Sequence, residues 1–253
     1  MNIVVIIPTY KEKDNIGKLI IALQEQFKKI SHDSHILVMD DNSPDGTGEV
    51  VKKIIQDQGK NNVHLLSGKK KGLGAAYVRV IKYSLKELEA DVIVTMDADF
   101  SHKPKDVSRL ISEVEKGFDF VIGSRYVRGG KLPDKWNFFR QANSKWGNRF
   151  ARYIVGIDNV KDCTAGFRAI KKEVLEDISL DSLKVRGYSF QMNLLYKAYM
   201  NGAKIKEIPV EFVERKSGHT KLGPSDIVEF IVSSFILRFQ RGFFLKKPKK
   251  YIV

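Results

Sequence analysis

The chain has 253 residues, 43% hydrophobic and 29% charged, enough for one large domain or a domain with an appendage. Its 44 Lys and Arg against 30 Asp and Glu leave a net charge of +14, which suits anionic partners such as nucleic acid, anionic lipid or phosphorylated substrates. The one cysteine, Cys163, excludes an intrachain disulfide and a thiolate zinc site, as expected of a reducing compartment.

Apolar runs predict strands at Ile3–Ile7, Ile36–Met39, Val63–Leu66, Val92–Met96 and Phe118–Ile122. Between them, amphipathic stretches predict helices over Asp14–Ile30, Gly46–Gln56, Gly74–Leu88 and Pro104–Glu115. In the first helix Ile16, Leu19, Ile20, Leu23 and Phe27 recur at the spacing of one buried face. This alternation predicts a mostly parallel sheet covered on both faces. Met1-Asn2 runs straight into the first strand without a basic segment, so no secretory leader is expected.

Ligands of such sheets bind beyond the carboxyl ends of the strands. Three of those ends are polar and bear carboxylates: Pro8-Thr9-Tyr10-Lys11-Glu12, Asp40-Asp41-Asn42-Ser43-Pro44-Asp45-Gly46 and Asp97-Ala98-Asp99. They should gather on one edge. Asp97 and Asp99 are like charges one residue apart at the mouth of a buried strand, and a divalent cation between them would offset their repulsion. Hard oxygen ligands suit Mg²⁺ or Mn²⁺. Taken alone, the same triplet reads as a polar turn that caps backbone amides. No G-x-G-x-x-G follows the first strand and there is no P-loop, which counts against dinucleotide and ordinary ATPase chemistry. Gly72-Leu73-Gly74-Ala75-Ala76 reads as a tight turn opening a helix.

Taken in order, P-T-Y-K-E-K-D-N-I, D-D-N-S-P-D-G-T, G-L-G-A-A-Y and D-A-D-F-S-H-K-P resemble the family 2 glycosyltransferases of GT-A fold. Within that family the chain is similar to the dolichyl- and polyprenyl-phosphate mannose synthases. The resemblance continues through Gly123-Ser124-Arg125-Tyr126, Asp162 to Arg168, Gly187 to Met192 and Arg215 to Leu222, and covers Ile3 to Leu222. It implies an α/β, Rossmann-like sheet flanked by helices, with a C-terminal amphipathic helix. The implied reaction is inverting transfer of mannose from GDP-mannose to a polyprenyl (dolichyl) phosphate with Mg²⁺ or Mn²⁺. UDP-glucose or another nucleotide sugar on the same fold stays open.

Carried over residue by residue, the resemblance makes Asp99 and Asp97 metal ligands, with Asp97 also at the nucleotide sugar. Ser101 stands where many relatives carry Gln, a weaker ligand acting through water. Pro8, Tyr10 and Glu12 match the nucleoside-binding loop, and Asp40 the carboxylate that grips the base or ribose. Asp41 should point elsewhere, stabilising the turn with Ser43 and Gly46. Gln191 matches a sugar contact, while Asn193 replaces a carboxylate common in relatives. That departure is tolerable for an acceptor that is already an anion. Arg125 and Arg140 match an acceptor-phosphate pair; without that role they read as a salt bridge after a strand and a solvated helix position. Asp162 positions the acceptor or a sugar hydroxyl, or is a turn carboxylate. Arg215 and Lys221 flank a basic loop that closes over the pyrophosphate in relatives. His102 and His219 read as solvated.

Residues 1–225 form the expected catalytic domain and 226–253 an amphipathic helix with a polybasic tail. The longest apolar run there, Phe230–Leu237, is far below the roughly 20 residues of a membrane span. Val228, Ile231, Val232, Phe235, Ile236, Phe239 and Phe243 share one helical face before Lys246-Lys247-Pro248-Lys249-Lys250. Either this face lies on a membrane surface or on a small membrane subunit, or it packs on the protein's own core. The expected location is peripheral, on the cytoplasmic face of a membrane, with no transmembrane helix. Nucleic acid is not an expected partner: no helix-turn-helix, RNP-type strand or zinc pattern is present, and a carboxylate-lined edge repels phosphate. A non-catalytic scaffold would have no use for the D-A-D, Arg125 and basic-loop motifs.

Overall fold

The computed structural model describes residues 1–59, 62–69, 72–157, 159–183, 187–214 and 224–243. Strands β1 (Asn2–Thr9), β2 (Asp33–Asp40), β3 (Val63–Ser67), β4 (Val92–Thr95), β5 (Phe120–Ser124), β6 (Arg168–Lys171) and β7 (Ile205–Pro209) form one sheet in the order β3-β2-β1-β4-β6-β5-β7. β6 runs antiparallel to both its neighbours, and every other pairing is parallel.

Helices α1 (Lys13–Phe27), α2 (Thr47–Gln58), α3 (Leu73–Lys86) and α4 (Asp106–Glu115) alternate with the first five strands as expected. α5 (Phe138–Val155), α6 (Lys172–Glu176), α7 (Gly187–Met200) and α8 (Pro224–Phe243) follow. The sheet is buried on both faces because β1 is apolar from Ile3 to Ile7 and β4 from Val92 to Val94. In β1, Val4 and Ile6 pack with α3, α5 and α7, whereas Ile3, Val5 and Ile7 pack with α1 and α4. Ile16, Leu19, Ile20 and Leu23 are the fully buried face of α1. The fifth strand begins two residues later than its apolar run, because Asp119 is drawn out of it to pair with Lys171 and accept from the Lys204 amide.

The three carboxylate-bearing strand ends do share an edge. Thr9 is in register with Asp40, and the Met96 amide extends β4 by bonding Ile6 O at 3.1 Å. Each of the three loops turns through one non-glycine residue in the left-handed region: Lys11 (φ 60°), Asn42 (φ 51°) and Phe100 (φ 61°). Strained backbone of this kind concentrates where geometry serves a site. Gly72, at φ 94°, opens α3, which bears out the tight-turn reading.

Candidate active site

The β1 and β2 ends form a wall held by side chains. Asp40 is buried, and its carboxylate accepts from Thr9 Oγ1 (3.2 Å), the Ser43 amide (3.0 Å) and Ser43 Oγ (2.5 Å). Lys11 N donates to Ser43 Oγ at 3.0 Å, Glu12 N to Thr47 Oγ1 at 3.0 Å and Lys13 N to Asp45 Oδ2 at 3.2 Å. Half-buried Pro8, Tyr10 and Glu12 line this wall, and Glu12 Oε2 accepts from Asn15. The turn-stabilising role expected of Asp41 belongs to Asp40. Strand alternation turns Asp41 away, toward α3, where its Oδ1 meets Arg79 at 2.9 Å.

At the β4 end, Asp99 is buried and its Oδ1 accepts from the Ser101 amide at 3.0 Å, a tight Asx turn. The Asp97 side chain is 39% exposed and so open to a ligand. Ser101 is fully buried, and its hydroxyl is without a hydrogen-bond partner among the described residues. Among the described residues no three His, Cys, Asp or Glu converge to hold a metal by themselves. A divalent cation here would take Asp97 and Asp99 and fill its shell with donor oxygens and water, the mode Mg²⁺ favours. The orphaned Ser101 hydroxyl fits an outer contact to such an ion.

His102 is not solvated. Its ring is buried, stacked on Phe167 (centroids 4.9 Å apart) and edge-on to Phe212 (5.4 Å), and Nδ1 accepts from the Asp97 amide at 3.2 Å. Burial lowers its pKa, so the ring is neutral at physiological pH. The aromatic neighbours, Phe167 at the entry to β6 and Phe212 beyond β7, are invisible in the local sequence and overturn the loop-histidine reading.

Across the edge, Arg125 forms a fork with Asp162. Nε and Nη2 reach the two carboxylate oxygens at 2.8 Å each, Nη2 also meets Thr164 Oγ1 at 2.8 Å, and the Arg125 amide donates to Asp162 Oδ2 at 3.0 Å. Burial works to raise the Asp162 carboxyl, but the guanidinium more than offsets it and holds the pKa below the usual carboxylate range. Arg140 lies in the first turn of α5, its guanidinium 4.1 Å from the Trp136 ring centroid. Phe212 meets Trp136 edge-on at 6.1 Å and lies 5.5 Å from the Arg125 guanidinium. One aromatic row thus joins Arg140, Arg125 and His102.

Beneath them, Gly166 leaves room between Asp97 and Gln191, since a Cβ there would lie 3.9 Å from each. Gln191 is buried, its Oε1 without a hydrogen-bond partner among the described residues. Asn193 gives its amide to Ser189 O, one helical turn back, at 2.8 Å. Arg168, fully buried, braces the floor by donating to Gln191 O (2.6 Å) and Cys163 O (3.0 Å); burial lowers its pKa to about 10, still charged at neutral pH. Arg215, Lys221, His219 and the lysines after position 245 lie outside the described residues.

Residues 4–179 match the family described as "Glycosyl transferase family 2". The polyprenol monophosphomannose synthase of Mycolicibacterium smegmatis is 40% identical over 226 residues, 89% of this chain and 82% of that protein. The undecaprenyl-phosphate mannosyltransferase of Micrococcus luteus is 36% identical, covering 92% of each chain.

The chain belongs to glycosyl transferase family 2.

Solved structures share its fold. Glucosyl-3-phosphoglycerate synthase from Mycobacterium tuberculosis, determined with Mn²⁺, UDP and phosphoglyceric acid, superposes with a TM-score of 0.63 at 18% identity, over 94% of this chain and 78% of that one. Mannosyl-3-phosphoglycerate synthase from Rubrobacter xylanophilus does so at 0.65 and 17% identity, over 98% and 77%. The architecture is the GT-A fold that the motifs implied.

This glycosyltransferase also carries an apolar surface wider than the sequence suggested. Val228, Ile231, Val232, Phe235, Ile236 and Phe239 of α8 are all solvent-exposed. The opposite side of the helix, Ser233, Ser234 and Leu237, is what packs inward, with Ser234 Oγ 3.5 Å from Met192 Sδ of α7. The face that could have covered the core is therefore the outer one. α5 lies beside α8, joined by an edge-on Phe150–Phe235 contact, and adds Phe138, Phe139, Trp146 and Tyr153, each at least 69% exposed. Among the described residues, no helix is long and apolar enough to cross a membrane.

Proposed function

We propose that this glycosyltransferase moves mannose from GDP-mannose to a polyprenyl (dolichyl) phosphate, with inversion, at a membrane surface. The observation that carries the reading is the link between an acidic and a cationic group through His102: its Nδ1 accepts from the Asp97 amide at 3.2 Å, and its ring meets Phe212 edge-on, 5.5 Å from which lies the Arg125 guanidinium. An acidic edge suits a metal-held nucleoside diphosphate, and a cationic edge suits an anionic acceptor. The names of the two relatives above support the sugar and the lipid class.

In this reading Pro8, Tyr10, Glu12 and Asp40 hold the nucleoside, and Gln191 takes a sugar hydroxyl beside Asp97. Mg²⁺ or Mn²⁺, when bound through Asp97 and Asp99 with Ser101 behind them, supplies charge for the departing diphosphate. Arg125 and Arg140 hold the acceptor phosphate and offset its repulsion from the donor. A phosphate is already an anion at neutral pH and needs no strong base. That agrees with Asn193, an amide bound to its own helix, standing in place of a carboxylate. The phosphate oxygen attacks the anomeric carbon in line as the bond to GDP breaks, so one displacement inverts the centre.

Residues 1–225 carry the chemistry in this scheme. The α5–α8 face, with the 226–253 segment, seats the enzyme on the cytoplasmic leaflet, where the lipid acceptor resides; a small membrane subunit is the other candidate for that face. Purified protein with Mn²⁺, a short polyprenyl phosphate and either labelled GDP-mannose or labelled UDP-glucose tests the proposal. Label entering organic solvent from GDP-mannose alone is expected. Transfer from UDP-glucose alone overturns the donor, and transfer from neither overturns the proposal, pointing to another donor, a missing membrane partner or an inactive homologue.

A further inference from the structure

Between α5 and β6 a short irregular stretch, Lys161-Asp162-Cys163, belongs to no helix or strand, yet its main chain is gripped from three sides. Glu207 of β7 accepts from the Lys161 amide at 2.7 Å and from the Asp162 amide at 2.9 Å. Asn148, buried midway along α5, donates Nδ2 to Lys161 O and accepts at Oδ1 from the Cys163 amide at 3.0 Å. Arg168 takes Cys163 O. The stretch presents one functional group to the site, the Asp162 carboxylate, and both its oxygens go to Arg125.

We infer that Asn148 and Glu207 are positioning residues for Arg125, acting through the clamped Lys161–Cys163 stretch to aim the guanidinium at the acceptor phosphate. The inference rests on the acceptor role given to Arg125 above. Packing alone does not explain either residue. Asn148 occupies a buried position beside Ala151, in a helix whose outer face is aromatic, and an apolar side chain would bury there at lower desolvation cost. Glu207 places a carboxylate in a strand, in register with Ile122, where its two bonds to backbone amides are charge-assisted. Asn148 also ties α5, and with it Arg140, to the same stretch, so the two arginines share one mount. A small displacement of such a group weakens its charge-assisted grip on the phosphate, so the cost falls on acceptor affinity.

The test compares Asn148→Asp, which replaces one donor with an acceptor at nearly unchanged shape, and Glu207→Gln at a half-buried strand position. Each should raise KM for polyprenyl phosphate about 10- to 100-fold, with KM for GDP-mannose and kcat at saturating acceptor unchanged. In an Arg125→Ala background, neither substitution should raise the acceptor KM further, because there is no guanidinium left to aim. A loss of kcat or thermal stability with no acceptor-specific KM change overturns the inference. So does an N148D effect that adds in full to R125A. If R125A itself leaves the acceptor KM unaltered, the acceptor assignment falls as well; that pattern differs from failure of the positioning alone, where R125A raises KM and N148D and E207Q do not.

Discussion

The Arg125 guanidinium meets both carboxylate oxygens of Asp162, which is wholly buried, in a two-point geometry that fixes the plane of the fork. The depressed Asp162 pKa makes this pair a pH-dependent source of stability. Its contribution is complete above the unfolded carboxyl value of roughly 4 and is lost as pH falls through the lowered folded value. Asp162→Asn removes the charge, leaves a buried guanidinium uncompensated and should cost about 3–5 kcal/mol at neutral pH. Urea unfolding from pH 7 to 3 should show a shallower acid decline in the variant than in wild type. Equal slopes would remove the pair from the account.

Metal binding should separate two neighbouring side chains. Asp99→Ala should abolish turnover and Mn²⁺ uptake in the presence of GDP, with a melting temperature close to wild type. Ser101→Ala deletes a buried hydroxyl that has no partner among the described residues, so stability should hold or rise by about 1 kcal/mol. If that hydroxyl reaches the ion's water shell, Mn²⁺ affinity should fall about tenfold. Titration followed by electron paramagnetic resonance reads both. Unchanged affinity in S101A would confine the metal to Asp97, Asp99 and the donor.

Gly130 sets the path of the loop after Arg125. A Cβ there would lie 2.6 Å from Ser124 O and 2.8 Å from Arg125 C and O, all backbone atoms with no rotamer to yield. Gly130→Ala should therefore destabilise by about 1–3 kcal/mol and raise the acceptor KM by displacing Arg125. Thermal melts with acceptor kinetics check it; a variant with wild-type values in both would show that the loop shifts freely.

The parts of the fold legible in the sequence are those where local pattern and burial agree. The four α/β repeats of the first half combine apolar strands with helices of one buried face, and all three polar strand ends emerged as one edge. Pattern failed where tertiary contacts reverse it. β6 is four residues long and carries a fully buried arginine, and β7 sets Lys206 and Glu207 side by side between isoleucines, Glu207 bonding the Lys161 and Asp162 amides. α5 shows its aromatic residues to solvent, so its periodicity points the wrong way. Asp41 and His102 were misread for a related reason: Arg79, Phe167 and Phe212 approach from distant segments. Asp162 finds its partner 37 positions earlier in the chain. Its motif context alone left a functional carboxylate and a turn residue equally open.

The exposed α5–α8 face yields the remaining prediction, and it requires point substitutions. Deleting 226–253 would uncover α7 where Leu237 and Ser234 pack, so lost activity after truncation would report unfolding as much as lost docking. Phe138, Phe139 and Phe239 point outward, and changing each to Ser leaves the core intact. Burying one such side chain in a bilayer interface is worth about 1.5–3 kcal/mol. The triple variant should therefore lose at least about tenfold in partitioning to anionic vesicles, with GDP-mannose affinity and melting temperature unchanged. Nearby Lys145, Arg149 and Arg152 of α5 should make wild-type binding fall with salt. Vesicle binding that survives the triple substitution would move the docking surface elsewhere. Loss of vesicle binding together with full activity on a detergent-solubilised acceptor would show that the face delivers the enzyme to its lipid and takes no part in the transfer itself.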